Sequence, residues 1–357
     1  FVFTIILRTF ARNNSGLEAL QAFEQMYQEG VMPNKRIFIS IFSSCCNHVD
    51  IAEGKRMHSR FQCTSFGSDV ATNTALINMY VKCGSRDHAN WIFDGMAELD
   101  AIAWNVMISA YFDNEQEKKA LQLYRHMQEE STVSDQYSFT IALQACGALA
   151  EKEEGFEVEG QRTKVVSLEI AKALHADAHK EGYANDLFVG TALVSVYGKC
   201  GTIADTENLF CRLSQGNLVT WNAMLSAYIE HGLGEKCLQL YRQMQEDRLK
   251  LDQWSYTSVF QACCIIAEKA SAFEGKSIKV SYRDIVQGLY MEVQREGYVE
   301  DAFVCSMLIS MYSKLMDLPE VEYIFERLPK DDVKVWNAML VAYNEQEKYE
   351  KAMKLYR

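Results

Sequence analysis

Residues that separate or cross-link globular bodies are scarce in this chain. Only three prolines occur in 357 residues, and no Ser/Gly-rich run accompanies them, which leaves no candidate linker between separate domains. Cysteines number eleven, an odd count, and no CxxC occurs; neither a disulfide framework nor a metal site is expected. No HxE followed by CxxC is present to hold zinc beside a proton-moving glutamate. Long apolar runs are missing too: Phe1 to Leu7 is too short to span a bilayer and nothing elsewhere approaches the length of a spanning segment, so a soluble chain with no membrane partner is expected. Positive charge is also lacking. With 36 Lys and Arg against 48 Asp and Glu the formal net charge is −12, and bulk nucleic-acid binding, which is driven by phosphate neutralisation, should be weak.

What the chain has instead is repetition. Trp104-Asn105-Val106-Met107, Trp221-Asn222-Ala223-Met224 and Trp336-Asn337-Ala338-Met339 are copies of one phrase, and a degenerate fourth begins at Phe3-Thr4-Ile5-Ile6. The tryptophans stand 117 and 115 residues apart, so a repeat array is expected in which each unit packs only on its neighbours. Hydrophobic residues make up 48% of the chain, ample for one continuous core. Because it opens at Phe1 and stops at Arg357 within a repeat, truncated ends are expected.

Every joint between repeats carries a helix N-cap residue: Asn34, Asp69, Asp100, Asp135, Asp186, Asn217, Asp252, Asp301 and Asp332. The joint spacings of 35, 31, 35, 51, 31, 35, 49 and 31 read as a 35-35-31 triplet with two expanded members. Each unit should hold two short helices. Ala120, Leu121, Tyr124 and Met127 recur as Cys237, Leu238, Tyr241 and Met244, the three-and-four spacing of a buried helical stripe. Gly84 and Gly201 suit helix C-termini. Cys45, Cys146 and Cys263 share one equivalent site and Cys83 and Cys200 another, as buried thiols in a reducing compartment would. The extra residues of the expanded members fall near 151–167 and 268–284, rich in Glu, Lys and Gly. Mobile loops are expected there, with the second helices resuming near Ile170 and Ile285.

An enzyme is not expected. Gly275-Lys276-Ser277 has the ending of a phosphate-binding loop, but Ala270 stands where its first glycine would be. The seven histidines are scattered, and His58 and His175, at equivalent positions, suit packing or capping. No catalytic residue, cofactor or metal is assigned.

The combination of Val219-Thr220-Trp221-Asn222-Ala223-Met224, Leu174-His175 with Glu181-Gly182-Tyr183, and Asp186-Leu187-Phe188-Val189-Gly190-Thr191-Ala192-Leu193 running to Gly198-Lys199-Cys200-Gly201 resembles the pentatricopeptide repeat proteins of plants, over the whole chain. More narrowly, it resembles the class in which P, L and S motifs alternate. The resemblance implies an all-α, right-handed solenoid of tandem helix-turn-helix repeats, about ten motifs in P-L-S order. The boundaries would be 1–34 P, 35–69 L, 70–100 S, 101–135 P, 136–186 L with an insertion, 187–217 S, 218–252 P, 253–301 L with an insertion, 302–332 S and 333–357 a partial P.

It also implies single-stranded RNA as partner, one base per repeat, read by the fifth residue of the first helix together with the residue at the joint. Thr4 with Asn34 and Thr191 with Asn217 would read adenine. Thr74 with Asp100 and Ser306 with Asp332 would read guanine. Asn105 with Asp135 and Asn222 with Asp252 would read uracil, and Asn337 a pyrimidine. The second helix residue would wedge between bases, as the apolar Phe1, Ile102, Phe188, Val219, Trp254 and Phe303 can; Arg36, Ala71 and Lys334 depart from that pattern. The L pairs Ile39 with Asp69, Thr140 with Asp186 and Thr257 with Asp301 are left unread, and the target becomes A-N-G-U-N-A-U-N-G-Y. Relatives of this motif order specify cytidine-to-uridine editing or other RNA maturation in mitochondria or chloroplasts, together with editing or processing proteins. The other reading is a scaffold that binds protein ligands, as tetratricopeptide repeats of similar helix-pair architecture do; the net charge of −12 leaves it open.

Overall fold

The computed structural model describes residues 2–356 apart from 14, 49–50, 159–160, 214–216, 274–276, 316–317 and 330–331. Helix follows helix: α1 (Val2–Arg12), α2 (Gly16–Gln28), α3 (Lys35–His48), α4 (Ile51–Gln62), α5 (Val70–Lys82), α6 (Arg86–Asp94), α7 (Ala101–Phe112), α8 (Glu117–Glu129) and α9 (Gln136–Lys152). Strands β1 (Phe156–Val158) and β2 (Gln161–Thr163) come next. Then run α10 (Val165–Lys180), α11 (Leu187–Cys200), α12 (Ile203–Arg212), α13 (Leu218–Glu230), α14 (Gly234–Glu246), α15 (Gln253–Phe273), α16 (Ser277–Arg295), α17 (Ala302–Leu315), α18 (Leu318–Arg327), α19 (Val333–Glu345) and α20 (Tyr349–Tyr356), with one 3-10 turn at Tyr298–Glu300.

Packing divides the chain into two units, residues 1–152 with 170–184 and residues 153–169 with 185–357. In the first, α1, α3, α5, α7 and α9 pack in succession as one layer, with α1, α3, α5 and α7 each covered by the helix that follows it in the chain. In the second, α11, α13, α15, α17 and α19 do the same. These helices are too short to be stable alone, so their neighbours supply the burial that holds them.

Each joint residue caps the helix it precedes. Asn34, Asp69, Asp100, Asp135, Asp186, Asn217, Asp252 and Asp301 accept from the backbone N–H three residues on, at 2.8 to 3.1 Å, and Asp332 accepts from Lys334 N–H at 2.8 Å. The repeated tryptophans make one recurring contact. Trp104 meets Phe93 edge-on with centroids 4.9 Å apart, Trp221 meets Phe210 at 5.0 Å and Trp336 meets Phe325 at 5.4 Å. Ala120, Tyr124, Met127, Cys237, Leu238, Tyr241 and Met244 are buried as their spacing predicts, with Leu121 half-buried. Gly84 and Gly201 adopt left-handed φ of 75° and 95° at helix ends.

No disulfide joins the eleven cysteines. Burial pushes the Cys46 and Cys264 thiols up to about 11 and those of Cys200, Cys237 and Cys263 up to about 12. Such thiols stay protonated and inert at neutral pH. Among the described residues no His, Cys, Asp or Glu cluster could hold a metal ion, and no helix is long and apolar enough to cross a membrane.

The two expansions are not the loops expected. In the first, α9 continues to Lys152, β1 pairs antiparallel with β2 with Phe156 opposite Thr163, and α10 begins at Val165 rather than near Ile170. The cause is a cap from outside the helix. The Glu153 carboxylate accepts from Val166 N–H and Ser167 N–H, both at 2.9 Å, and from the Ser167 hydroxyl at 2.6 Å, satisfying donors that a helix start otherwise leaves unpaired. Lys164 N–H donates to Cys200 O at 3.0 Å and pins the hairpin's exit. In the second expansion α15 runs on through Phe273 and α16 begins at Ser277 rather than near Ile285. The intervening 274–276, which include Gly275 and Lys276, lie outside the described residues.

Candidate nucleic-acid interface

The oxygen that a joint residue gives to the cap can also meet the fifth residue of the preceding repeat's first helix. At two joints the tertiary structure brings that residue into direct contact. Asn105 Nδ2 donates to Asp135 Oδ1 at 3.1 Å. Asn222 Nδ2 donates to both oxygens of Asp252, at 3.0 and 3.1 Å. Burial pushes the Asp135 carboxyl up, but hydrogen bonds from the Ser138 backbone and hydroxyl and from Asn105 outweigh it, leaving the group below the usual carboxylate range. Asp135 is therefore an anion at neutral pH and can only accept.

The other predicted pairs divide. Thr74 Oγ1 reaches Asp100 Oδ1 at 3.4 Å, a long contact, and also donates to Val70 O at 2.9 Å. Thr191 and Asn217 are joined through a third residue: Thr191 Oγ1 lies 2.6 Å from Thr220 Oγ1, which donates to Asn217 Oδ1 at 3.2 Å. Ser306 turns away and donates to Phe303 O at 2.8 Å, while Asp332 serves as a cap. Thr4 is half-buried, and the Asn34 oxygen is given to Ile37 N–H. Asn337 is exposed.

Wedge positions stand in solvent. Ile102, Phe188 and Val219 are each 61% exposed and Trp254 is 62% exposed, while Phe303 lies at the edge of the exposed range. The Trp254 and Phe303 rings lie 6.0 Å apart, and the Lys334 ammonium sits 6.0 Å above Phe303. Lys334 thus continues the row by a cation–π contact although its residue type broke the pattern. Phe1 lies outside the described residues.

Pair and wedges meet in a pocket of about 340 Å³ across α5, α7 and α9, whose wall includes Lys82, Ile102, Asn105, Asp135 and Tyr137. Asn105 is 4% exposed, and among the described residues its Oδ1 has no hydrogen-bond partner. Its NH2 is held by Asp135, and the oxygen itself is buried, so the half-buried carboxylate is the acceptor that the pair presents. Apolar Ile102 and aromatic Tyr137 flank the pocket as surfaces on which a planar ring can stack.

The profile described as PPR repeat family matches residues 99–148 and 216–265, and the profile described as PPR repeat matches residues 1–31, 74–100, 303–333 and 334–357. The chain belongs to the pentatricopeptide repeat family. Among curated relatives in Arabidopsis thaliana, pentatricopeptide repeat-containing protein At1g03540 is 27% identical over 339 residues, covering 94% of this chain and 50% of its own length. The chloroplastic At4g25270 is 29% identical over 335 residues, covering 92% of this chain and 57% of its own. The mitochondrial At3g02330 is 27% identical over 376 residues, covering 99% of this chain and 38% of its own. This pentatricopeptide repeat chain thus spans about half, or less, of the length of these relatives. The crystal structure of the pentatricopeptide repeat protein PPR10 in complex with an 18-nt psaJ RNA element shares the fold, with a TM-score of 0.51 at 16% identity over 99% of this chain and 59% of that one.

Tyr137 holds the second helix position, the place expected to wedge between bases in other repeats of this pentatricopeptide chain, and sequence reasoning passed over it. Its signal was present, an aromatic two residues after the joint at Asp135. It is 57% exposed and its hydroxyl lies 3.4 Å from Ser109 Oγ.

Proposed function

We propose that this pentatricopeptide repeat segment binds single-stranded RNA in sequence-specific fashion, one base per repeat, along its first-helix layer. Repeats follow P-L-S order with the boundaries given above, and the bound site lies in an organellar transcript that undergoes cytidine-to-uridine editing or other maturation. The observation that carries this reading is the Asn105–Asp135 pair: a buried amide held by an anionic carboxylate, at a pocket flanked by Ile102 and Tyr137. A pyrimidine whose ring stacks there and whose N3–H donates to that carboxylate is uracil; cytosine has no N3–H to offer.

PPR10, which shares the fold, is seen in complex with an RNA element, and several curated relatives are named chloroplastic or mitochondrial. Both support an organellar RNA partner. Affinity then comes from stacking and base edges more than from phosphate charge, consistent with a net charge of −12.

The test is binding of this chain to single-stranded RNA containing AUGUAAUAGU against a scrambled control, from low to physiological salt. A preference of about tenfold or more, about 1.4 kcal/mol, that persists as salt rises is expected. Equal or salt-abolished binding would instead favour the protein-binding scaffold.

A further inference from the structure

Three residues after each joint lies the N–H that the joint residue caps, save at Asp332, which caps Lys334 N–H instead, and the side chain at that third position varies. It is a fully buried hydroxyl in Thr72, Ser138, Thr220 and Ser255, and an apolar group in Ile37, Ala103, Val189, Val304 and Val335. Thr72 donates to Asp69 Oδ2 at 2.6 Å, but the fifth-position residue facing that joint is the apolar Ile39, so the comparison is among the other three. The state of the reading pairs follows that difference. Where the hydroxyl is present it donates to the joint residue: Ser138 to Asp135 Oδ1 at 2.8 Å, Thr220 to Asn217 Oδ1 at 3.2 Å and Ser255 to Asp252 Oδ1 at 2.9 Å. Two of the three also touch the fifth-position partner, Thr220 lying 2.6 Å from Thr191 Oγ1 and Ser255 lying 2.8 Å from Asn222 Oδ1. Where it is missing the pairs are loose. Thr74 reaches Asp100 only at 3.4 Å beside Ala103, Ser306 turns to its own backbone beside Val335, and the Asn34 side chain beside Ile37 has, among the described residues, its cap bond alone.

Chemically, one hydrogen bond to a cap oxygen leaves the carboxylate or amide plane able to turn about it. A second donor on the same oxygen, from a buried side chain, removes that freedom. For Asn217 these bonds leave Nδ2 as the donor not engaged by them; for Asp135, whose Oδ1 takes the Ser138 N–H, the Ser138 hydroxyl and the Asn105 amide, they leave Oδ2 as the acceptor not engaged by them. An Asn that can turn over offers a base either edge and so distinguishes little between a donor and an acceptor.

We infer that this buried hydroxyl is a third, positioning member of each base-reading set, and that Ser138, Thr220 and Ser255 make their three repeats the discriminating ones while the repeats that end at Asn34, Asp100 and Asp332 read weakly. The inference rests on the base-reading function proposed above. The hydroxyls touch no base; they fix the atoms that do.

The experiment measures base preference repeat by repeat, with the full chain and RNAs randomised one position at a time, in wild type, Thr220→Val, Thr220→Ser, Ser255→Ala, Ala103→Ser and Asn105→Ser. Thr220→Val and Ser255→Ala are expected to lower discrimination at their own positions about fivefold, the scale of one hydrogen bond, and to leave other positions unchanged. Thr220→Ser retains it. Ala103→Ser, which installs the hydroxyl beside Thr74 and Asp100, raises discrimination there by about the same factor. Unchanged profiles in these variants, with Asn105→Ser still altering its own position, would overturn the positioning role while sparing the base reading. A uniform loss at all positions would reduce the hydroxyls to fold maintenance and also overturn it. A wild type without preference at any position would remove the base reading and the inference together.

Discussion

Trp104 packs edge-on against Phe93 with centroids 4.9 Å apart and planes 84° apart, and among the described residues its buried indole Nε1 has no hydrogen-bond partner. The tryptophan is kept by shape and apolar area, since its polar atom contributes nothing here and is costly to bury. Trp104→Ala should therefore destabilise by about 3–5 kcal/mol. Trp104→Phe, which also removes the unpaired N–H, should cost less than half of that. Chemical denaturation of the three proteins checks both values; equal losses would show that the indole nitrogen is satisfied in solution.

Asn105 and Asn222 face anionic or capped joints but are not themselves caps, so replacing them should spare the helices. Asn105→Ser and Asn222→Ser are expected to shift base preference at one position each, away from uracil, with thermal stability changed by less than about 1 kcal/mol. Selection of bound RNAs from a randomised pool reads the shift. Unaltered pools would remove the uracil assignments at these two repeats.

Glu153 caps α10 across the hairpin, so Glu153→Gln should destabilise by about 1 kcal/mol. Burial pushes its carboxyl up, but the bonds from the Ser167 hydroxyl and the Ser167 and Val166 N–H groups prevail and hold it below the ordinary value. A group depressed on folding stabilises above its unfolded pKa, roughly 4.3 for Glu, and loses that contribution as pH falls through the lower folded value. Wild-type and Glu153→Gln stabilities should accordingly differ at pH 7 and converge in acid.

His58 acts in the same sense at higher pH, through its neutral form. Burial first, and the neighbouring His88 second, lower its pKa below the usual 6.5, and its Nδ1 lies 2.9 Å from the Tyr80 hydroxyl. The folded state prefers neutral imidazole, so stability should decline as pH falls below about 6.5 and level off once the folded form is protonated. In His58→Gln this decline between neutral and mildly acid pH should flatten. An identical pH profile in the variant would place the titration elsewhere.

Lys82 is the cation on the wall of the Asn105 pocket. If it meets a phosphate, Lys82→Ala should weaken all RNAs alike and make the salt slope of log K shallower by roughly 0.7. Base preference should not change. A slope no different from wild type would assign Lys82 to packing alone.

Local chemistry was legible in the residues. A helix cap is settled within three residues of chain, so the joints, their spacing and the left-handed glycines could be placed without any knowledge of packing, and the Trp and Met stripes marked the core because burial repeats with the helical period. Tertiary structure decided what depends on atoms distant in sequence. Glu153 starts α10 from 13 residues upstream, so a segment that reads as loop becomes a hairpin and a longer helix. Asn105 meets Asp135 while Ser306 misses Asp332, though both pairs hold equivalent places in the repeat. That difference accompanies one buried hydroxyl and the bonds it makes across a turn, and hydrogen bonds act over ångströms of space whatever their separation along the chain.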